Sequence, residues 1–248
     1  MKFSFKRSIK HLWHRFHVYI YVAIGALCII GALGALWLAS IPLPDIQSFT
    51  SRKVVQSTKI FDRNGELLYT LQENERRTVV NSSKISIYIK NATVAIEDPD
   101  FYEHNGIIPK AILRAVLVNI KDAEYSQGGS TITQQVIKNS LLTQDKSIIR
   151  KVKEWVLAVK LEKYMNKDDI LAVYLNEVGY GGNVYGVEEA SKGFFGKTSQ
   201  DVTLAEAAYL AALPQSPSRL SPYGKNKNLL DDRKNTVLAV MRSKNFIT

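Results

Sequence analysis

The hydrophobic pattern changes character along the chain. From Val18 to Ser40 it is unbroken, VYIYVAIGALCIIGALGALWLAS, and no charged residue lies between Arg15 and Asp45. At about 1.5 Å of rise per residue such a helix reaches about 35 Å, enough to cross a hydrocarbon layer of about 30 Å. Tyr19, Tyr21 and Trp37 fall near its ends, where interfacial aromatics belong. The run is longer than the apolar core of a cleaved signal peptide, so a retained transmembrane helix over 17–41 is expected. A Pro-punctuated polar linker over 42–56 follows. Next, VVQSTKIFD and ELLYTL flank Arg63-Asn64-Gly65, which predicts a β-hairpin turned at Asn-Gly. After Ser83 the period becomes helical and stays so. Pro109 suits the first turn of KAILRAVLVNIKD, Ser130 the N-cap of the next helix, and Ser147 the N-cap of IIRKVKEWVLAVKLEKYM. In that last helix Ile148, Ile149, Val152, Trp155, Val156 and Val159 form one apolar stripe, with Arg150 and Glu154 pointing nearly opposite. No alternation of strands with helices appears, which argues against a nucleotide-binding parallel sheet. The pattern predicts a mainly α domain over 57–248 with a small β-hairpin.

Charge changes the picture at one end. The 33 Lys and Arg against 23 Asp and Glu give +10, a balance that first suggests nucleic acid. Yet Lys2, Lys6, Arg7, Lys10 and Arg15 all lie within residues 1–16, and no acid precedes Asp45. That is the positive-inside signature of a cytoplasmic basic tail before a membrane span. No nucleic acid is expected as a partner, and the domain after the span is expected on the extracytoplasmic side. One cysteine, Cys28, excludes a disulfide framework and a Cys-rich zinc site.

Three polar stretches carry candidate chemistry. AIEDPDFYEHNG, 95–106, gathers Glu97, Asp98, Asp100, Glu103 and His104. A helix stopped by Pro99 leaves Glu97 on its last turn, where the dipole disfavours negative charge. A carboxylate made more basic there suits a general base, although a solvated acidic loop has the same composition. Asp98-Pro-Asp100 imitates the metal-binding Asp-x-Asp of sugar-nucleotide transferases, but those enzymes need the α/β sheet this chain lacks. In QGGSTITQQVIKN, 127–139, Thr131, Gln135 and Lys138 share a stripe with Gln134 at its edge. The set suits sugar hydroxyls and a phosphate, or an ordinary exposed polar face. Arg150 and Glu154, with Lys151 at the flank, read on their own as a solvated salt bridge.

Order and spacing add what no single stretch supplies. EDPDF with His104 and Gly106, then GGSTITQQ with Lys138, then Arg150-Lys151 with Glu154, then ILAVYLNEVGYGGNVYGVEEASKGFFGK and LAEAAYLAALPQSPSRLSPY, follow one another in the chain. This succession, over about 55–245, resembles the peptidoglycan glycosyltransferases found in class A (bifunctional) penicillin-binding proteins and in monofunctional relatives. The resemblance implies a mainly α, lysozyme-like glycosyltransferase domain with a smaller membrane-facing lobe, held at the outer face of a bacterial plasma membrane. It implies polymerisation of lipid II, an undecaprenyl-pyrophosphate-linked disaccharide-pentapeptide, into β-1,4 glycan strands with inversion and release of undecaprenyl pyrophosphate. Carried onto matching positions, Glu97 is the general base and Glu154 the second family carboxylate. Asp98, Phe101 and His104 brace the base, and Thr131, Gln134 and Gln135 line the sugar site. Lys138, Arg150 and Lys151 neutralise the leaving pyrophosphate. Lipid II, the growing glycan strand and the lipid bilayer are the implied partners, with room for other cell-wall synthesis proteins. No self-sufficient metal ligand set is evident, and a divalent cation (Mg2+ or Mn2+) at the pyrophosphate stays an open option. Departures from the family pattern, Ser191 and Gly193 in ASKGFFGK and Ser221 before Pro222, touch no implied catalytic group. No Ser has a Lys three positions later, so the acyl-serine motif of a transpeptidase is absent from the chain. A transpeptidase domain beyond Thr248 is expected. The segment from Ala111 to Tyr125 is expected to graze the lipid surface. The competing readings are a lysozyme-like muramidase or lytic transglycosylase, and a catalytically inactive cell-wall scaffold.

Overall fold

The computed structural model describes residues 3–41, 58–65, 67–71, 76–111, 114, 129–141 and 147–248. The expected linker over 42–56 and most of the segment from Ala111 to Tyr125 lie outside the described residues. The chain divides into two units, Met1–Pro42 and Leu43–Thr248.

The first unit is one helix, α1 (Phe3–Ser40). Its portion Phe16–Ser40 has a mean hydropathy of 2.3 and is unburied, and it is long and apolar enough to cross a membrane. Ile24, Leu27, Ile30 and Leu33 all stand exposed along it. A helix apolar on every side needs an apolar surrounding.

The second unit opens with the hairpin. Strands β1 (Thr58–Phe61) and β2 (Leu67–Leu71) pair antiparallel, Thr58 opposite Leu71. The Asp62 carboxylate accepts from the Asn64 amide at 2.8 Å, and Gly65 takes φ +84°, which glycine adopts without steric cost. Further along, β3 (Arg76–Arg77) runs parallel to β5 (Val184–Tyr185), which pairs antiparallel with β4 (Gly179–Gly181). The longer elements are helices: α2 (Ile87–Glu97), α3 (Ile132–Leu141), α4 (Ile148–Leu161), α5 (Lys167–Glu177), α6 (Val187–Phe195), α7 (Leu204–Ala212) and α8 (Lys227–Ser243). The fold is mainly α with a small hairpin.

Two packing groups position the site. Helices α2, α7 and α8 pack on one another, with Ile89, Ala92, Ala207, Ala208, Val237 and Met241 fully buried. The alanines let the backbones approach closely. Helix α3 packs against α4 and α5. Helix starts follow the sequence signals: Ser86, Ser147 and Asn166 accept from the amides of Tyr88, Arg150 and Asp169. Thr203 and Glu206 form a reciprocal capping box. Pro109 opens a helical stretch as expected.

Two expectations are corrected. The cap of α3 is Thr131 rather than Ser130, with the Thr131 Oγ1 accepting from the Gln134 amide at 3.2 Å. Helix α4 also turns its other side to the core. Its buried residues are Glu154, Leu157, Ala158 and Leu161, whereas Ile149 is 59% exposed and Val152, Trp155, Val156 and Val159 are only half-buried. Periodicity locates an apolar stripe but not the face its neighbours will cover. Here α3 and the loop before it take the side that carries Glu154.

Candidate active site

Helix α2 cannot pass Pro99, and Glu97 is its last residue. The half-buried Glu97 carboxylate accepts through Oε2 from the Gln135 side-chain amide of α3 at 2.9 Å. Two buried phenols, Tyr174 on α5 and Tyr180 on β4, lie close enough to feel the charge of that carboxylate. Burial first, and then the negative charge of Glu97, hold both phenols well above the usual tyrosine range, so they stay protonated.

The next residue turns inward. Asp98 is 2% exposed, and its Oδ2 accepts from the Ile132 amide at 3.0 Å, fixing the start of α3 to the end of α2. Asp98 also accepts from His104 Nε2 at 2.9 Å. The Gly106 amide donates to His104 Nδ1 at 3.1 Å, so Nε2 is the nitrogen that carries the proton. Phe101 is fully buried, edge-on to the His104 ring, with Lys167 Nζ 4.5 Å from its ring centre. Lys167 also donates to the His104 carbonyl at 2.6 Å and to Glu162 at 2.8 Å. Thr131 Oγ1 and Gln134 Nε2 both donate to the Gly106 carbonyl, at 2.7 and 3.2 Å. Gly106, at φ +84°, lies so close to α4 that a Cβ there would sit 2.8 Å from the Ala158 carbonyl. The loop therefore docks one helical turn beyond Glu154.

On α4, the Glu154 side chain is 1% exposed and receives Lys151 Nζ at 2.7 Å, with Arg150 Nη1 at 3.5 Å. Lys151 also donates to Ser130 Oγ at 2.7 Å. Burying a carboxylate is costly unless it is paired, and this one is only partly satisfied. Glu154 Oε1 and Arg150 Nε are both buried with no hydrogen bond among the described residues. The two carboxylates thus meet around the entry to α3, Glu97 through Gln135 and Glu154 through Lys151 and Ser130.

Of the residues singled out in the sequence, Glu97, Gln135, Arg150, Lys151 and Glu154 gather at this junction, and Asp98, Phe101 and His104 brace it from behind. Thr131 and Gln134 are buried and turned to Gly106, a holding role rather than an open sugar-lining one. Lys138 stands exposed on the last turn of α3. The surface reading of Arg150 and Glu154 does not hold, because Glu154 is buried. Sequence reasoning missed Ser130 as a lysine partner, Gly106 as a docking point, the Lys167–Glu162 clamp, and Tyr174 and Tyr180. The tyrosines sit in apolar-looking runs, where nothing local marks them as neighbours of Glu97. Among the described residues no three His, Cys, Asp or Glu side chains converge on a point, and Asp98 is already committed to His104 and Ile132.

Comparison with known proteins gives this geometry a family. The family model described as Transglycosylase matches residues 64–242. Penicillin-binding protein 1A/1B of Bacillus subtilis is 39% identical over 225 residues, which cover 90% of this chain and 24% of the relative. Penicillin-binding protein 1A of Aquifex aeolicus is 41% identical over 206 residues, covering 83% of this chain and 28% of the relative. A crystal structure of penicillin-binding protein 1A from Haemophilus influenzae covers 78% of this chain and 19% of its own, at 22% identity and a TM-score of 0.43, a distant likeness that decides nothing about function. The chain spans about a quarter of the length of the curated relatives it matches. A match from the hairpin turn through both carboxylates and the C-terminal helices, with relatives near 40% identity, means that the chain belongs to the transglycosylase family.

Proposed function

We propose that the chain is a membrane-anchored peptidoglycan glycosyltransferase that polymerises lipid II. Residues 1–16 are the cytoplasmic tail, 17–41 the single transmembrane helix, 42–56 a linker and 57–248 the extracytoplasmic catalytic domain. The observation that carries the reading is the junction itself: one half-buried carboxylate on an amide leash, beside a second that gathers two cations.

Glu97 takes the proton of the acceptor GlcNAc 4-hydroxyl as that oxygen attacks the anomeric carbon of the donor MurNAc. The bond from that carbon to the pyrophosphate oxygen breaks from the opposite face, and the α-linked lipid pyrophosphate leaves a β-1,4 linkage behind. One displacement gives inversion without a covalent intermediate. Pyrophosphate is already a good leaving group, so the acid that a glycosidase needs has no counterpart here. Developing charge on the pyrophosphate is met by Arg150 and Lys151, preorganised on Glu154, with exposed Lys138 further along α3. Gln135 aims the base. The polyprenyl chain gives the anchor a purpose: each methylene buried in lipid is worth about 0.8 kcal/mol, so the substrate stays in the bilayer and the catalyst must meet it there.

The test is incubation of the purified full chain in bilayers, with lipid II in one arm and finished glycan in the other. Polymer from lipid II is the expected result. Cleavage of finished glycan without use of lipid II would mean a muramidase or lytic transglycosylase instead.

A further inference from the structure

Tyr174 is a buried polar group that feels the charge of Glu97 and that the mechanism above leaves unused. It is 1% exposed, and its hydroxyl is buried with no hydrogen-bond partner among the described residues. Buried hydroxyls are almost always paired, so an orphan beside a catalytic group calls for a reason.

The packing says where it lies. Helices α3 and α5 run side by side in the same direction. Near their starts Thr133 and Lys167 both reach Glu162, and near their ends Ser140 hydrogen-bonds Glu177. Tyr174 is therefore level with the second half of α3, and a helical side chain leans toward its own N-terminus. That lean carries the phenol back toward Gln135, which holds Glu97. Among the described residues, the titratable groups that feel the Glu97 charge are Tyr174 and Tyr180, and the neutral Gln135 amide of α3 holds the carboxylate.

We propose that Tyr174 is a positioning residue for Glu97, its hydroxyl donating to the carboxylate when the acceptor sugar arrives and keeping that carboxylate ionised and aimed. The inference rests on Glu97 being the base. Burial and the nearby carboxylate keep the phenol protonated, so toward Glu97 it acts as a donor. A donor to the charged form favours that form, and its removal makes the carboxylate easier to protonate.

The experiment measures initial rates of lipid II polymerisation against pH for the full chain in bilayers, in the native protein, Tyr174→Phe and Glu97→Gln. Tyr174→Phe keeps the ring that fills the core. It is expected to lower kcat about tenfold with KM within about twofold, and to move the acidic limb of the profile to higher pH by about one unit. Replacing Tyr174 by 3-fluorotyrosine, a stronger donor of nearly equal size, is expected to move the limb the other way. If both replacements leave rate and limb at native values while Glu97→Gln is inactive, the role assigned to Tyr174 is wrong and the base is not. If Glu97→Gln polymerises as the native protein does, both fall together.

Discussion

Glu97 and Glu154 are chemically alike and placed for different work. Glu97 ends a helix, is half-buried and is held by the neutral Gln135 amide, which in the proposed mechanism leaves it free to take a proton. Glu154 is buried under two cations, and protonating it would release them. Gly106 ties the surrounding loop down, its carbonyl collecting Thr131 and Gln134 while its α-carbon rests on the α4 backbone. Gly106→Ala adds a Cβ at 2.8 Å from the Ala158 carbonyl in a left-handed conformation. We expect it to cost about 2–4 kcal/mol in a denaturant melt, the sum of overpacking and backbone strain. At this scale the sequence was legible wherever a role depends on near neighbours. Pro99 announces the end of α2, and Ser147 the start of α4. It was opaque where the partner is distant in the chain: Ser130 looked like a cap because nothing local reveals that Lys151 will take it.

At the scale of elements, α4 separates pattern from packing. Its apolar stripe suggested a core face around Val152 and Trp155, and its buried face instead runs through Glu154, Leu157 and Leu161. Leu157→Ala is therefore expected to cost about 2–4 kcal/mol, and Ile149→Ala to stay within about 0.5 kcal/mol. Thermal or denaturant unfolding checks both, and the reverse order would restore the stripe as the core face. Helix α6 offers a pH test. Burial pushes the Glu188 carboxyl up, but Lys192 and the Ser199 hydroxyl and amide outweigh it and leave the group below its ordinary value of 4.5. A lowered folded value means that the stabilisation is complete above the ordinary value and is lost as pH falls through the folded one. Stability should decline on acidification below about pH 4.5, and Glu188→Gln should make that part of the pH–stability curve shallower.

For the whole molecule, the long apolar run and the basic tail were plain in the sequence, because both are statements about composition. The exposed apolar surface of Phe16–Ser40 agrees with that pattern. The packing of α2 against α7 and α8 was not readable, since it joins segments more than a hundred residues apart through small alanines that carry no directional signal. The order of the polar stretches supplied the family where their individual chemistry left several readings open. What unites the molecule is the claim that Glu97 deprotonates the acceptor while the cations on α4 receive the leaving group. The most direct test is the single-turnover rate of lipid II polymerisation against pH in the native chain and in Glu97→Gln. The account predicts a rate loss on the order of 10²–10⁴ and the disappearance of the acidic limb in the variant, with its melting point retained. A variant that keeps both the rate and the limb would contradict it.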